Sequence, residues 1–130
     1  MLQTSSGGRP IAANPTILRA PLLPRLLFWA AMALAFVMAV MPSPPALPVS
    51  DKLQHAAAFL VLALLGRWAY PQTRKRTLLL GLAAFGALIE VVQALPIVGR
   101  DSDPLDWVAD VSAALAVFLI IALWPHPKTR

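Results

Sequence analysis

The sequence predicts an all-α membrane protein, a polytopic bundle of four transmembrane helices with both termini in the cytoplasm. The first observation is composition: 58% of the 130 residues are hydrophobic, 13% are charged and the mean hydropathy is +0.70. A soluble domain carries roughly 25% charged residues. The second is a set of four long apolar runs, and the third is an uneven distribution of basic residues around them.

The four runs are separated by proline-rich or charged segments, and each ends at or next to a proline. They cover Leu26–Met41, which Leu22 and Leu23 can extend, Leu53–Tyr70, Leu78–Leu95 and Leu105–Trp124. A hydrocarbon core of about 30 Å needs ~20 helical residues, so each run can cross with help from its flanks. The first run could instead be a signal peptide, but it is long for one and lacks a small-residue cleavage triplet.

The orientation follows from the basic residues. Two of the eleven Lys and Arg residues, Lys52 and Arg100, lie in or beside the connections that follow the first and third runs. The other nine lie near the N-terminus, around the connection between the second and third runs, or after the fourth run. Cytoplasmic loops of membrane proteins carry the excess of Lys and Arg. We therefore expect a multi-pass protein of the inner (cytoplasmic) membrane. Because the basic residues lie at helix ends and form no single patch, the net charge of +5 predicts no nucleic-acid partner.

The chain divides into three predicted parts. Residues 1–21 are rich in Ser, Gly and Pro, which predicts a disordered cytoplasmic segment. Residues 22–124 form the membrane domain, and residues 125–130 form a short basic cytoplasmic tail. Alanine- and glycine-rich faces permit close helix approach, within one chain or between chains.

All acidic residues fall near the predicted outer ends of the helices. His55 follows Asp51 at i+4 on the second run, Glu90 and Gln93 are spaced i, i+3 near the end of the third, and Asp110 follows Asp106 at i+4 on the fourth; Arg100 lies in the loop between the third and fourth. An ionisable residue within a membrane span indicates a functional site by default. We predict that these seven residues form one outward-facing polar site, with Arg100 directed toward Glu90 or Asp106 as counter-ion.

Some of these residues have a simpler explanation. Asp51 and Asp103 can cap helix N-termini, and Asp106 falls at the third position of a helix that starts Asp103-Pro104. A lone His can be a hydrogen-bonded packing residue. Capping does not explain Asp110, one turn deeper, or Glu90, near a C-terminus where the helix dipole disfavours an anion.

The spacings resemble the VanZ-like family of small bacterial membrane proteins over residues 51 to about 123. The matching segments are Asp51-Lys52-Leu53-Gln54-His55 with Phe59, Glu90-Val91-Val92-Gln93, and Gly99-Arg100 followed by Asp106. The chain departs from the family pattern at Asp110, where that pattern has Asn, and at Ala113, where it has Gly. The resemblance implies a role at the cell envelope, such as low-level resistance to glycopeptide antibiotics.

Four functions remain open from the sequence. The leading one is binding of an amphiphilic or lipid-linked ligand at the outer head-group level. A second is an intramembrane hydrolase or transferase, with Glu90 or Asp110 as general base, His55 as partner and Arg100 as anion clamp. A third is a metal or proton site, and a fourth is a purely structural or interaction subunit. With no Cys and a single His in the layer, structural zinc is not favoured, and no metal or cofactor is assigned.

Overall fold

A computed structural model describes residues 22–124, and these residues form four α-helices. The helices are α1 (Leu22–Val40), α2 (Asp51–Ala69), α3 (Lys75–Gln93) and α4 (Pro104–Leu123). The all-helical prediction is confirmed over this range. The predictions for residues 1–21 and 125–130 fall outside the described residues.

The helix ends show which residues start each helix. Ser50 is the N-cap of α2, and its side chain accepts a hydrogen bond from the Leu53 amide. The expectation that Asp51 supplies that cap was therefore wrong, and Asp51 is instead the first residue of the helix. Asp103 caps α4 as expected, with Pro104 in the first turn. Helix α3 begins at Lys75, three residues before the predicted apolar run.

Successive helices run in opposite directions, so the molecule has two distinct ends. At one end the C-termini of α1 and α3 meet the N-termini of α2 and α4; the Gln93 side chain donates to the Ala39 carbonyl, and Lys52 contacts Asp103. At the other end the Trp29 indole donates to the Tyr70 hydroxyl over 2.8 Å. We call the first end, which holds the acidic residues, the polar end. The sequence predicted that the acids would gather in this way.

Helix α2 lies at the centre of the bundle and packs against the other three helices. Its buried face runs from His55 through Phe59, Leu62 and Ala63 to Gly66. Against it α4 buries Asp106 and Asp110 first, then Ala114, Val117 and Phe118. The α2–α4 seam is therefore polar at one end and apolar along the rest of its length.

Three of the four described helices, α1, α3 and α4, are long and apolar enough to cross a membrane. Many large apolar side chains on the bundle surface are exposed, including Leu34, Leu80 and Ile120 at 60% or more. Such a surface suits lipid better than water. Helix α2 is less apolar than the others because its first two turns carry Asp51, Lys52 and His55.

Candidate functional site

The polar end is organised around the seam between α2 and α4. Lys52 Nζ lies 2.6 Å from Asp106 Oδ1 and 3.0 Å from Asp103 Oδ2. Asp106 is buried, while Lys52 and Asp103 remain nearly half exposed. Asp103 lies ahead of α4, and its pKa is held below the usual value by the Leu105 amide that it caps and by the Lys52 ammonium. One lysine thus joins the start of α2 to the start of α4.

One turn deeper, His55 and Asp110 face each other across the same seam. His55 Nδ1 is 3.5 Å from Asp110 Oδ2, and the two side chains are 8% and 0% exposed. Neither Asp110 oxygen has a hydrogen-bond partner among the residues the structure describes. The contact has the length of an ion pair with a protonated imidazole but lacks hydrogen-bond geometry. The predicted proximity of His55 and Asp110 is therefore present in the structure.

A glycine of α3 makes room for this pair. A Cβ atom at Gly86 would lie 3.1 Å from the Trp107 ring, 3.3 Å from Asp110 Oδ2 and 3.3 Å from Phe59. The Trp107 indole crosses this gap and donates to the Ala83 carbonyl of α3 over 2.9 Å. The absence of a side chain at Gly86 thus lets α3 close over the buried carboxylate.

The loop between α3 and α4 brings Arg100 to the start of α2. Gly99 adopts a positive φ of 63°, a left-handed conformation that favours glycine. The next residue, Arg100, then reaches Asp51, with Nη2 3.1 Å from Oδ2. The predicted pairing of Arg100 with Glu90 or Asp106 was therefore wrong, because Lys52 occupies Asp106 and the loop turns toward α2.

Glu90 and Gln93 lie apart from the seam. Glu90 Oε2 accepts a hydrogen bond of 2.8 Å from Ser102 in the loop. Gln93, which is 2% exposed, donates over 2.9 Å to the carbonyl of Ala39 at the end of α1. The two residues lie about 4.5 Å apart along the helix axis and point about 60° apart around it. Gln93 therefore ties the end of α3 to the end of α1, and its assignment to the ligand-binding set remains a prediction.

A large cavity of about 890 Å³ opens beside the polar end, between α1, the α1–α2 loop and α2. Its walls are almost entirely apolar. They include Ala31, Leu34, Ala35 and Met38 of α1, Pro45 and Leu47 of the loop, and Ala58, Phe59 and Val61 of α2. Its polar lining comes from Asp51, Gln54, His55 and Arg100. Of the predicted site residues, Asp51, His55 and Arg100 thus face this cavity, while Asp106 and Asp110 lie behind them in the seam.

Sequence reasoning missed three parts of this region. Lys52 belongs to the Asp51–His55 segment but was not predicted as a site residue. It lies three residues before His55 and therefore on the same face of the helix. Ser102, the loop residue that donates to Glu90, was not predicted as part of the site. The apolar wall from α1 and the proline-rich loop gave no local signal, because its residues become neighbours of α2 only through packing.

The comparisons with known proteins add no relative. No family model, no curated protein and no solved structure matches this chain.

Proposed function

We propose that this chain is an envelope protein of the bacterial inner membrane, with four spans and cytoplasmic termini. The apolar surfaces of α1, α3 and α4 support insertion. Helix α2 would cross as the central helix, with its polar first turns shielded by α4 and the loop. Among the described basic residues, all except Lys52 and Arg100 lie at the opposite end, and the other four precede α1 or follow α4 in the sequence. This distribution would place the polar end outside the cell.

Within that membrane, we propose that the protein binds an amphiphile, with its apolar chain in the cavity and its polar head against Asp51, His55 and Arg100. The observation that carries this proposal is the cavity itself, which joins a long apolar groove to a polar mouth. Ligand sites are typically apolar concavities of 300–1,000 Å³ with a few placed polar groups. The groove is too apolar for a sugar or a free ion, and its mouth is too polar for a simple hydrocarbon.

The head group that fits is one with both charge signs or many hydrogen-bonding groups. Arg100 and His55 supply donors, and Asp51 supplies an acceptor. A lipid-linked envelope precursor or a lipoglycopeptide has this chemistry. Low-level glycopeptide resistance, as the VanZ-like resemblance implies, would follow if such a molecule were held at the outer surface.

The alternative of an intramembrane hydrolase or transferase has weaker support. It needs Glu90 or Asp110 as general base beside His55. Glu90 contacts Ser102 instead, and Asp110 faces His55 but is 0% exposed, so it lies away from any substrate in the cavity. A serine nucleophile is also poorly supported. Ser102 is exposed and donates to Glu90, and no histidine contacts this pair among the described residues. Binding therefore accounts for more of the geometry than catalysis does.

The test fills the groove without touching the polar mouth. Ala58→Phe places a ring in the cavity, and the matched Ala87→Phe places one on an exposed surface of α3 outside it. Native mass spectrometry of the detergent-purified proteins should show bound lipid in the wild type and in Ala87→Phe but at least tenfold less in Ala58→Phe. Equal occupancy in all three proteins would refute the proposed groove.

A further inference from the structure

We propose that Asp51, His55 and Asp106 bind a divalent transition-metal ion at the junction of the cavity mouth and the α2–α4 seam. Each of the three offers one ligand atom, and these atoms all lie within 4.8 Å of one another. Two of the residues are buried, His55 at 8% exposure and Asp106 at 7%. The set combines one imidazole nitrogen with two carboxylate oxygens, and Zn²⁺ accepts both kinds of ligand atom.

The three ligand atoms are close enough for one ion after a small adjustment. Two ligands with bonds of about 2.1 Å can be at most ~4.2 Å apart, so a movement of about 1 Å would be sufficient. Asp51 can make this movement, since its side chain is 54% exposed and lies at the first residue of α2. The two buried ligands are held by their helices on opposite sides of the seam.

A second and independent observation comes from Asp110, which is fully buried behind the cluster. Both of its oxygens lack a hydrogen-bond partner among residues 22–124, and Oδ2 faces His55 Nδ1 at 3.5 Å. Metal-binding histidines almost always turn their second ring nitrogen to a carboxylate, carbonyl or water. With Nδ1 directed at Asp110, Nε2 of His55 remains for the ion. A buried carboxylate that serves no such purpose would be costly to retain.

The ligand set selects the class of ion. Ca²⁺ and Mg²⁺ prefer all-oxygen sites, whereas imidazole suits Zn²⁺ and its neighbours in the first transition row. We therefore assign the site to Zn²⁺ in preference to Mg²⁺ or Ca²⁺.

Two cations of the protein compete with the ion. Lys52 contacts Asp106 and Arg100 contacts Asp51. Each carboxylate keeps a second oxygen, and Lys52 has an alternative partner in Asp103 at 3.0 Å. Because a positive charge near a ligand opposes a second cation, removing Lys52 should strengthen metal binding by about tenfold or more.

The experiment is a Zn²⁺ titration of the full chain, purified in detergent and stripped with a chelator. Isothermal calorimetry should show one Zn²⁺ per chain, with weaker binding of Mg²⁺. The chain has two histidines, which provides a matched control: His55→Gln should weaken Zn²⁺ binding at least tenfold, and His126→Gln should leave it unchanged. Equal effects of the two substitutions, or no stoichiometric binding by the wild type, would overturn the site.

Variants that preserve the packing keep the test decisive. Asp51→Asn alters an exposed ligand and should weaken binding, whereas the exposed Asp101→Asn removes the same charge outside the cluster and should not. Asp110→Asn should weaken binding by about 10–100-fold, the usual effect of losing an outer partner. Lys52→Gln should tighten it, and weaker binding in that variant would contradict the proposal. Titration without added lipid separates this result from the outcome for the amphiphile groove.

Discussion

Asp110 is the residue with the least favourable environment in the bundle. Its carboxylate is 0% exposed, and neither oxygen has a hydrogen-bond partner among the described residues. The polar group facing it is the His55 imidazole, whose Nδ1 lies 3.5 Å away. An amide at the same position keeps the shape and a polar partner for His55 while removing the charge. A leucine removes the partner as well and leaves the imidazole buried alone.

We therefore predict different outcomes for two substitutions at this position. Asp110→Asn should fold and match or exceed the wild type in thermal stability, because a buried charge is lost. Asp110→Leu should be less stable by about 1–3 kcal/mol, the cost of an unsatisfied buried polar group. Thermal unfolding in detergent compares the two. A marked loss of stability in Asp110→Asn would show that the charge itself holds the seam together.

Asp103, at the start of α4, should make the stability of the protein depend on pH. The Leu105 amide and Lys52 lower its pKa in the folded protein. A lowered folded pKa stabilises the protein above the unfolded-state pKa of about 3.9, and this contribution is lost as the pH falls through the lower folded value. Asn also caps helices but does not titrate. Asp103→Asn should therefore lose less stability on acidification below pH 4 than the wild type.

The control for this pH experiment is Asp101→Asn, two residues earlier in the same loop. Asp101 is exposed and makes no ion pair within residues 22–124. Its substitution should leave the acid limb of the stability profile as it is in the wild type. If Asp103→Asn loses as much stability at low pH as the wild type does, Asp103 does not contribute to the pH dependence of stability.

At the scale of the helix, α3 depends on the absence of a side chain at one of its two glycines. Gly86 lies against Trp107, Asp110 and Phe59, whereas a Cβ atom at Gly81 would meet nothing within 4 Å. Both lie inside the same helix, where alanine is favoured over glycine by up to about 1 kcal/mol. The two positions thus have the same backbone and different surroundings.

We predict opposite effects of alanine at these glycines. Gly81→Ala should stabilise the protein by up to about 1 kcal/mol. Gly86→Ala should destabilise it by about 1–3 kcal/mol, because contacts of 3.1–3.3 Å force the neighbours to move. Denaturant or thermal unfolding of both variants measures this difference. A stabilised Gly86→Ala protein would mean that the seam has more room than the distances indicate.

For the whole molecule, the central expectation is the topology. The distribution of basic residues predicts that both termini lie inside and that the polar end lies outside. A reporter active only in the periplasm should be inactive when fused after Arg130. The same reporter fused after Pro44, in the α1–α2 loop, should be active. Strong activity after Arg130 would exclude four spans with cytoplasmic termini.

The sequence alone determined the helices and the gathering of the acids. Long apolar runs ended by prolines allow few structures other than helices, and alternating helix direction brings the polar turns of α2, α3 and α4 to one end. The Asp103-Pro104 start of α4 was also predictable, since N-capping depends only on neighbouring residues. These features are local, or follow from chain direction, and so they can be derived without knowledge of packing.

The tertiary structure decided which polar residues meet. Glu90 and Gln93 lie at the same end of the bundle as His55, yet Glu90 contacts Ser102 and Gln93 contacts the end of α1. Arg100 reaches Asp51 because of the turn at Gly99. The apolar cavity forms where α1 and its loop meet the polar-end turns of α2. Partner choice depends on helix rotation and on loop conformation, which distant contacts determine and sequence spacing alone does not.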